Sequence, residues 1–375
     1  MKKSGKIIIT IFLLIGLALG ALAVPYIYNF FQSLTPKEPN HVNVYVNSTI
    51  YSSLSSEIEQ FEEDIITQGY IVDLLNWSSN NAITLKNHLL NTSQEQKGLL
   101  GAIFIGDLPY VNYKNNTEIF ACDLFYMDLD GVWVDLDQAD GYYDDHTPGS
   151  GDLLPEIWIS RINPESIGGM SHLNAYKSYF VRNHAYRTDN LNRPHSQLVY
   201  IDDDWSSWTS EWLGDMTAYT NITSVSVNAN TTASDYIKKL NQTYEFVHLF
   251  VHSYYYEHVF GPGGYGTEGK VNYTQISNIY TKPLFYNLYA CSACNYVAQD
   301  NIGTHYLFSN NTLAVIGSTK TGGMTMNSYF YNPLNQGKVM GESFRLWFNN
   351  PLHGPKDSSS QGMCLLGDGL LTISM

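Results

Sequence analysis

The stretch KPLFYNLYACSACNYVAQD ends an apolar run in two cysteines three positions apart, Cys291 and Cys294. Thirty-nine positions before Cys291, a second apolar run, EFVHLFVHS, ends at His252-Ser253. A thiolate attacks carbon and an adjacent imidazole takes and returns the proton, so a Cys and a His at neighbouring strand ends are the parts of covalent catalysis. Taken singly, such a cysteine is commonly core filler and such a histidine commonly structural. The pairing is what carries the expectation. Two other chemistries compete with it. A redox C-x-x-C needs a thioredoxin-like unit with its first cysteine at a helix start, which the flanking sequence does not offer. Zinc could draw on Cys291, Cys294, His248, His252 and His258, although structural zinc sites take ligands from two knuckles and only one is present.

Carboxylates form two further clusters. The segment CDLFYMDLDGVWVDLDQADGYYDDH packs Asp123, Asp128, Asp130, Asp135, Asp137, Asp140, Asp144 and Asp145 into one loop. Charges so crowded repel unless a hard cation neutralises them, and calcium accepts many oxygens in flexible geometry. The spacing is not that of an EF-hand, because reading from Asp135 the glycine comes one place late. A solvated acidic loop is the plain alternative. The second cluster, YIDDDW, ends a strand in Asp202, Asp203 and Asp204. A carboxylate at a pocket floor selects Arg or Lys through a charge-assisted hydrogen bond, and Asp204 is the candidate for that substrate-binding role. A metal site, or a helix N-cap for the following SSWTSEW, competes equally.

The elements that must position these residues are legible as alternating periodicities. HVNVYVN reads as a strand, and SSLSSEIEQFEEDIITQG as a helix with Leu54, Ile58, Phe61 and Ile65 on one face and Gly69 as its stop. YIVDLLNW and LLGAIFIGDLPYV are strand-like around a helical ITLKNHLLN. The second half repeats the theme from SQLVYIDDDW to TLAVIGSTKTG. Such alternation predicts parallel strands with covering helices, in a three-layer α/β arrangement. The expected organisation is a signal peptide or membrane anchor over 1–24, a linker over 25–40, and two side-by-side α/β subdomains over 41–190 and 191–375. The polar RNHAYRTDNLNRPHS marks the joint between them.

Composition bounds the setting. The 375 residues are 44% hydrophobic and only 15% charged, which suits packed cores. A net charge of −15 repels a phosphate backbone, so nucleic acid is excluded as a partner. Three lysines precede an apolar run from Ile7 to Val24, with Ala21 and Ala23 as an A-x-A-like cleavage site. The run is also long enough to remain as a single anchor, so the rest is expected outside the cell, secreted or membrane-tethered. Nine N-x-[ST] sequons, at Asn47, Asn76, Asn91, Asn115, Asn221, Asn230, Asn241, Asn272 and Asn310, suit a glycosylated exterior chain. Four cysteines are too few for a disulfide scaffold of this length.

The strand ends VHS and YAC, with GAIFIGDLPY, DLFYMDLDGVW, LPEIWISRI, LAVIGSTKTG and CLLGDGLL, resemble the gingipain-like cysteine peptidases of the caspase-like clan, especially archaeal members. The likeness runs from about Val42 to the C-terminus with several motifs in the family's order. It implies a caspase-like fold around a mostly parallel sheet. It also implies that His252 is the catalytic histidine and Cys291 the nucleophile, with Cys294 a bystander where gingipains often carry glycine. The backbone N–H groups of Ser253 and Cys291 are then the expected oxyanion donors. Ser253 replaces the family's glycine, and a serine keeps that N–H if its backbone adopts the needed conformation. Resemblance to calcium-stabilised gingipains further implies structural Ca2+, with ligands among Asp128, Asp130, Asp135, Asp137, Asp140 and Asp144, and no organic cofactor. The function so implied is an exported cysteine endopeptidase acting on proteins or peptides through a Cys-His dyad and an acyl-enzyme. Two alternatives stand beside it. One is a non-catalytic relative that kept the fold for binding, in keeping with 29 tyrosines, and the other a transpeptidase that resolves the acyl-enzyme with an amine.

Overall fold

The computed structural model describes residues 40–375 apart from Ala139, Leu352, His353 and Met375. The expected signal or anchor and, save Asn40, the linker lie outside the described residues. No helix among those described is long and apolar enough to cross a membrane.

The first half of the chain supplies β1 (His41–Asn47), β2 (Ile71–Trp77) and β3 (Leu99–Ile105). Two hairpins follow, β4 (Asn112–Asn115) with β5 (Glu118–Ala121) and β6 (Val132–Val134) with β7 (Asp145–Thr147), and then β8 (Trp158–Ile162). The second half supplies β9 (Gln197–Ile201), β10 (Ile222–Val225) and β11 (Phe246–Phe250). A small antiparallel sheet of β12 (His252–Tyr254), β13 (Glu257–Val259) and β14 (Lys270–Asn272) comes next. It is followed by β15 (Phe285–Tyr289), β16 (Ala314–Ser318) and β17 (Met363–Gly367). Ten strands form one sheet in the order β10-β9-β11-β15-β16-β17-β8-β3-β1-β2, and every neighbouring pair is parallel except β16 with β17.

Side chains alternate across a strand, and here they feed two cores. Val42, Val44 and Val46 enter one, whereas Tyr45 enters the other; Val247 and Leu249 part from Phe246 and Phe250 in the same way. Over the first face lie α1 (Ser55–Thr67), α3 (His172–Arg187), α4 (Ala233–Leu240) and α5 (Ile302–Leu307), which bury Ile58, Phe61, Tyr179, Tyr236 and Tyr306. Over the other lie α2 (Ala82–Glu95), α6 (Ser328–Asn335) and α7 (Met340–Phe348), which bury Leu85, Leu89, Leu334 and Phe344. This is the expected three-layer α/β sandwich. The stripe of Leu54, Ile58, Phe61 and Ile65 is buried as its spacing predicts, and Gly69 ends that helix at φ +90°. None of the nine sequon asparagines is buried.

The halves on either side of residue 190 contribute strands to the same sheet, and residues 40–375 form one compact unit. They meet where β17 pairs with β8 through Leu366 and Arg161. Trp158, fully buried, fills this seam. Glycines admit it: a Cβ on Gly101, Gly341 or Gly369 would lie 2.2, 2.4 or 2.6 Å from its ring. Trp158→Ala therefore opens a cavity that rigid strands cannot close. The expected loss is about 3–5 kcal/mol, read as a lower urea midpoint at unchanged slope.

Candidate active site

In open α/β sheets, functional groups collect beyond the carboxyl ends of the strands. β11 and β15 are parallel neighbours in which Phe250 pairs with Tyr289. The Val251 N–H still donates to the Tyr289 carbonyl at 3.1 Å. Just past that pair, one strand leads on to His252 and the other to the turn at Cys291. Both residues line one groove of about 400 Å³ together with Ser253, Tyr255, Asn295 and Thr321.

Three contacts fix the imidazole. Its Nε2 is 2.8 Å from Asp204 Oδ2, and the same oxygen accepts the Gly263 N–H at 2.7 Å. The Trp205 ring lies 4.5 Å from it, centroid to centroid. Gly264, at φ +65°, passes so close that a Cβ there would lie 2.9 Å from His252 Cγ. With Nε2 committed to the carboxylate, Nδ1 is the nitrogen left to exchange a proton. Among the described residues no hydrogen bond joins His252 to Cys291.

Asp204 thus departs from its expected place. It sits against His252 instead of at a pocket floor, and among the described residues no carboxylate lines the groove. Its position has a simple origin, since β9 is the neighbour of β11 and the YIDDDW segment leaves the sheet at the same edge. The sequence pointed to that strand end, but pairing with His252 required the strand order.

At Cys291 the chain turns sharply. Ser292 has φ +57°, and its N–H is taken by the Lys320 carbonyl at 2.7 Å. The Cys291 N–H donates to no backbone carbonyl among the described residues, which leaves it available to an oxyanion. Across the groove, the hairpin register pairs Tyr254 with Glu257 around a two-residue turn. Hydrogen-bonded and non-hydrogen-bonded pairs alternate from there, so Ser253 faces His258 in a non-hydrogen-bonded pair and its N–H points away from β13.

Cys294 is of a different kind. It has no exposed surface, and a Cβ on Gly303 or Gly317 would lie 2.6 Å from its sulfur. Its N–H donates to the Ser318 carbonyl. Just beyond, the Tyr296 hydroxyl donates to Asp123 Oδ1 at 2.8 Å, and Arg161 grips the same carboxylate through Nε and Nη2. Burial pulls the Arg161 pKa down, but the Asp123 charge and hydrogen bonds, together with Tyr296 and Tyr126, more than reverse it. This buried pair anchors the loop that carries Cys291. The zinc set does not assemble, for among the described residues the groups able to share a metal are all carboxylates. His248 and His258 are buried, which pushes both down to about 3.

The acidic loop resolves into two groups. Asp128 and Asp130 converge with Glu156, and Asp135 converges with Asp140 and Asp144, while Asp137 joins neither. The six expected ligands are therefore not one site, and Glu156 had no signal in the sequence because it lies beyond the loop, just before β8. Part of the charge is already met: His146 Nε2 is 2.6 Å from Asp128 Oδ2, and Lys114 reaches Asp140 at 3.0 Å and Asp144 at 3.6 Å. Part is not. Asp130 Oδ1 and Asp135 Oδ1 are buried without a partner. Burial, then Asp128 and Asp130, push Glu156 up to about 7. Glycines admit the carboxylates, since a Cβ on Gly131 or Gly151 would collide with Asp128 or Asp130.

No protein-family model matches this chain, and no curated protein matches it.

The packing separates the four thiols. Cys291 is half-buried at the groove, whereas Cys122, Cys294 and Cys364 are buried. Burial pushes Cys122 up to about 12 and Cys364 well above its ordinary value. Iodoacetamide should label Cys291 in the native protein and the other three only after unfolding, as read by peptide mass spectrometry. Labelling of Cys294 in the folded protein would contradict this arrangement.

Proposed function

We propose that this chain is an exported cysteine endopeptidase of the gingipain-like kind, with Cys291 as nucleophile and His252 as proton carrier. The observation that carries the reading is the alignment of Asp204, His252 and Cys291 across three adjacent strand ends, β9, β11 and β15, with His252 and Cys291 opening on one groove. Asp204 is a positioning residue: it fixes the ring through Nε2 and stabilises the imidazolium when it forms, by the logic of a nucleophile, base and orienting acid.

In the first half-reaction His252 Nδ1 takes the Cys291 proton and the sulfur adds to the scissile carbonyl. The oxygen gains charge near the Cys291 and Ser253 N–H groups, fixed dipoles that need no reorganisation. The C–N bond then breaks, and the leaving amine takes the proton from His252. In the second, water gives a proton to the imidazole and its oxygen adds to the thioester; the C–S bond then breaks, the acid leaves, and the imidazolium returns its proton to the Cys291 sulfur. The N-terminal apolar run and the accessible sequons support action outside the cell, tethered to the membrane if that run is retained.

Turnover of internally quenched peptides tests this. Cys291→Ala and His252→Ala should each abolish cleavage with little change in melting temperature, as residues that act as one unit lose nearly everything singly. Asp204→Asn should lower kcat by roughly a hundredfold. Cys294→Ala should keep activity. An active Cys291→Ala variant would remove the proposal, and a wild type inert to every peptide and to peptidyl electrophiles would favour a binding protein.

We also propose calcium in the acidic loop, through Asp128, Asp130 and Glu156 and through Asp135, Asp140 and Asp144, supported by the unpartnered oxygens of Asp130 and Asp135. Calcium should raise the melting temperature and chelator lower it; superimposed melts would refute this. A pH dependence follows for the chelated protein. Glu156 titrates higher folded than unfolded, so its penalty is absent below about 4.5, grows as pH rises and levels off above about 7. Melting temperature should fall across that window in chelator, and Glu156→Gln should flatten the slope.

A further inference from the structure

A third group of carboxylates lies outside the acidic loop. Oxygens of Asp202, Asp203 and Glu268 all lie within 4.8 Å of one another. Asp202 leaves the end of β9, and Asp203 opens the short 3-10 turn Asp203–Trp208. Glu268 is brought alongside by the segment between β13 and β14, where its N–H donates to the Phe260 carbonyl and its carbonyl accepts the Ala233 N–H.

The group differs from the loop clusters in its lack of compensation. Among the described residues no Lys, Arg or His pairs with any of the three, whereas Lys114 and His146 serve the loop. Asp202 has no exposed surface. Its Oδ2 accepts the Gly261 N–H at 3.0 Å, but its Oδ1 meets no donor, and Glu268 Oε2 is likewise buried without one. Asp203 Oδ1 accepts only the Thr231 hydroxyl, at 2.9 Å. A buried carboxylate oxygen without a hydrogen-bond partner, on a side chain grouped with two other carboxylates, is rare in folded proteins and calls for a partner from solution. Burial first, and then the neighbouring Asp203 and Glu268 charges, push Asp202 up to about 7, which is the strain a cation would relieve.

We propose that Asp202, Asp203 and Glu268 hold a calcium ion at the base of the turn that carries Asp204. Three carboxylates offer up to six oxygens, within the six to eight that calcium takes, and the flexible geometry tolerates contributions from two separate segments. The ion would fix the turn one residue before Asp204, the group hydrogen-bonded to His252, and so join the β13–β14 segment to the orientation of the imidazole. The loop sites could do neither, as they belong to the other half of the sheet.

The test uses the full chain stripped with chelator and titrated with calcium chloride by calorimetry. Wild type should bind one more ion per chain than Asp202→Asn or Glu268→Gln, and Asp135→Asn should leave that ion in place. Thermal melts give a second readout with opposite signs. In chelator, Asp202→Asn should melt no lower than wild type, because it removes a buried repelling charge. In calcium, wild type should gain roughly 3 °C more than the variant. Unchanged stoichiometry, or equal calcium shifts in wild type and Glu268→Gln, would overturn the site. An equal shift in magnesium at the same concentration would overturn the choice of calcium. Should Asp202→Asn fail to fold, Glu268→Gln, at a half-exposed position, decides. Neither readout depends on peptide cleavage, so loss of the peptidase reading would leave this one standing.

Discussion

The parallel register between β11 and β15 is the constraint on which the site depends. Two strands in fixed register deliver the residues just beyond their ends to the same height, and only there can an imidazole and a thiol share a groove. Nothing in the loops could substitute for this, because loops wander by more than a hydrogen bond's length. The sheet supplies position and the flanking β9 supplies the carboxylate, so three consecutive strands in space, drawn from widely spaced segments, converge at one edge.

What surrounds the groove is arranged to keep that edge stiff. The Cys291 turn is held by main-chain bonds to β16 and its continuation, and its far end by the Tyr296 hydroxyl on the buried Asp123–Arg161 pair. Arg161 belongs to β8, in the other half of the sheet. Such a buried pair is weak evidence for net stability, but breaking it by removing one partner leaves an uncompensated charge. Its place here is to tie the loop that carries Cys291 to the other half of the sheet. Cys294 serves the same loop by filling the space that Gly303 and Gly317 leave for its sulfur.

Much of the fold was legible because hydrophobic period decides it. Strict alternation in HVNVYVN and continuous apolar runs in EFVHLFV and LFYNLYA mark strands, and the 3.6-residue stripe from Leu54 to Ile65 marks a helix. The two strand-end residues were legible for the same reason. The third was not, because the partner of His252 is set by strand order, and strand order is a non-local property no period encodes. The acidic loop failed differently. Composition identified the crowd of carboxylates, but which ones converge depends on where two short hairpins fold, and so Asp137 fell away and Glu156 came in. Glu268 is the extreme case: nothing in GYGTEGK suggests that its carboxylate meets a strand end more than sixty residues earlier.

The position of β17 has a consequence for how the molecule is made. It is the last strand among the described residues, yet it lies in the middle of the sheet, antiparallel to β16 and parallel to β8. A chain emerging from its N-terminus therefore carries two half-sheets, each with a bare hydrogen-bonding edge, until β17 arrives. Such edges invite pairing with other chains, and the closing contact is among the most distant in sequence, which makes it slow. The bond from Thr319 N–H to the Gly362 carbonyl, beside the Cys291 turn, forms only at that stage. Synthesis order thereby sets the order of support: the loop that carries Cys291 gains this neighbouring bond only after β17 has been delivered.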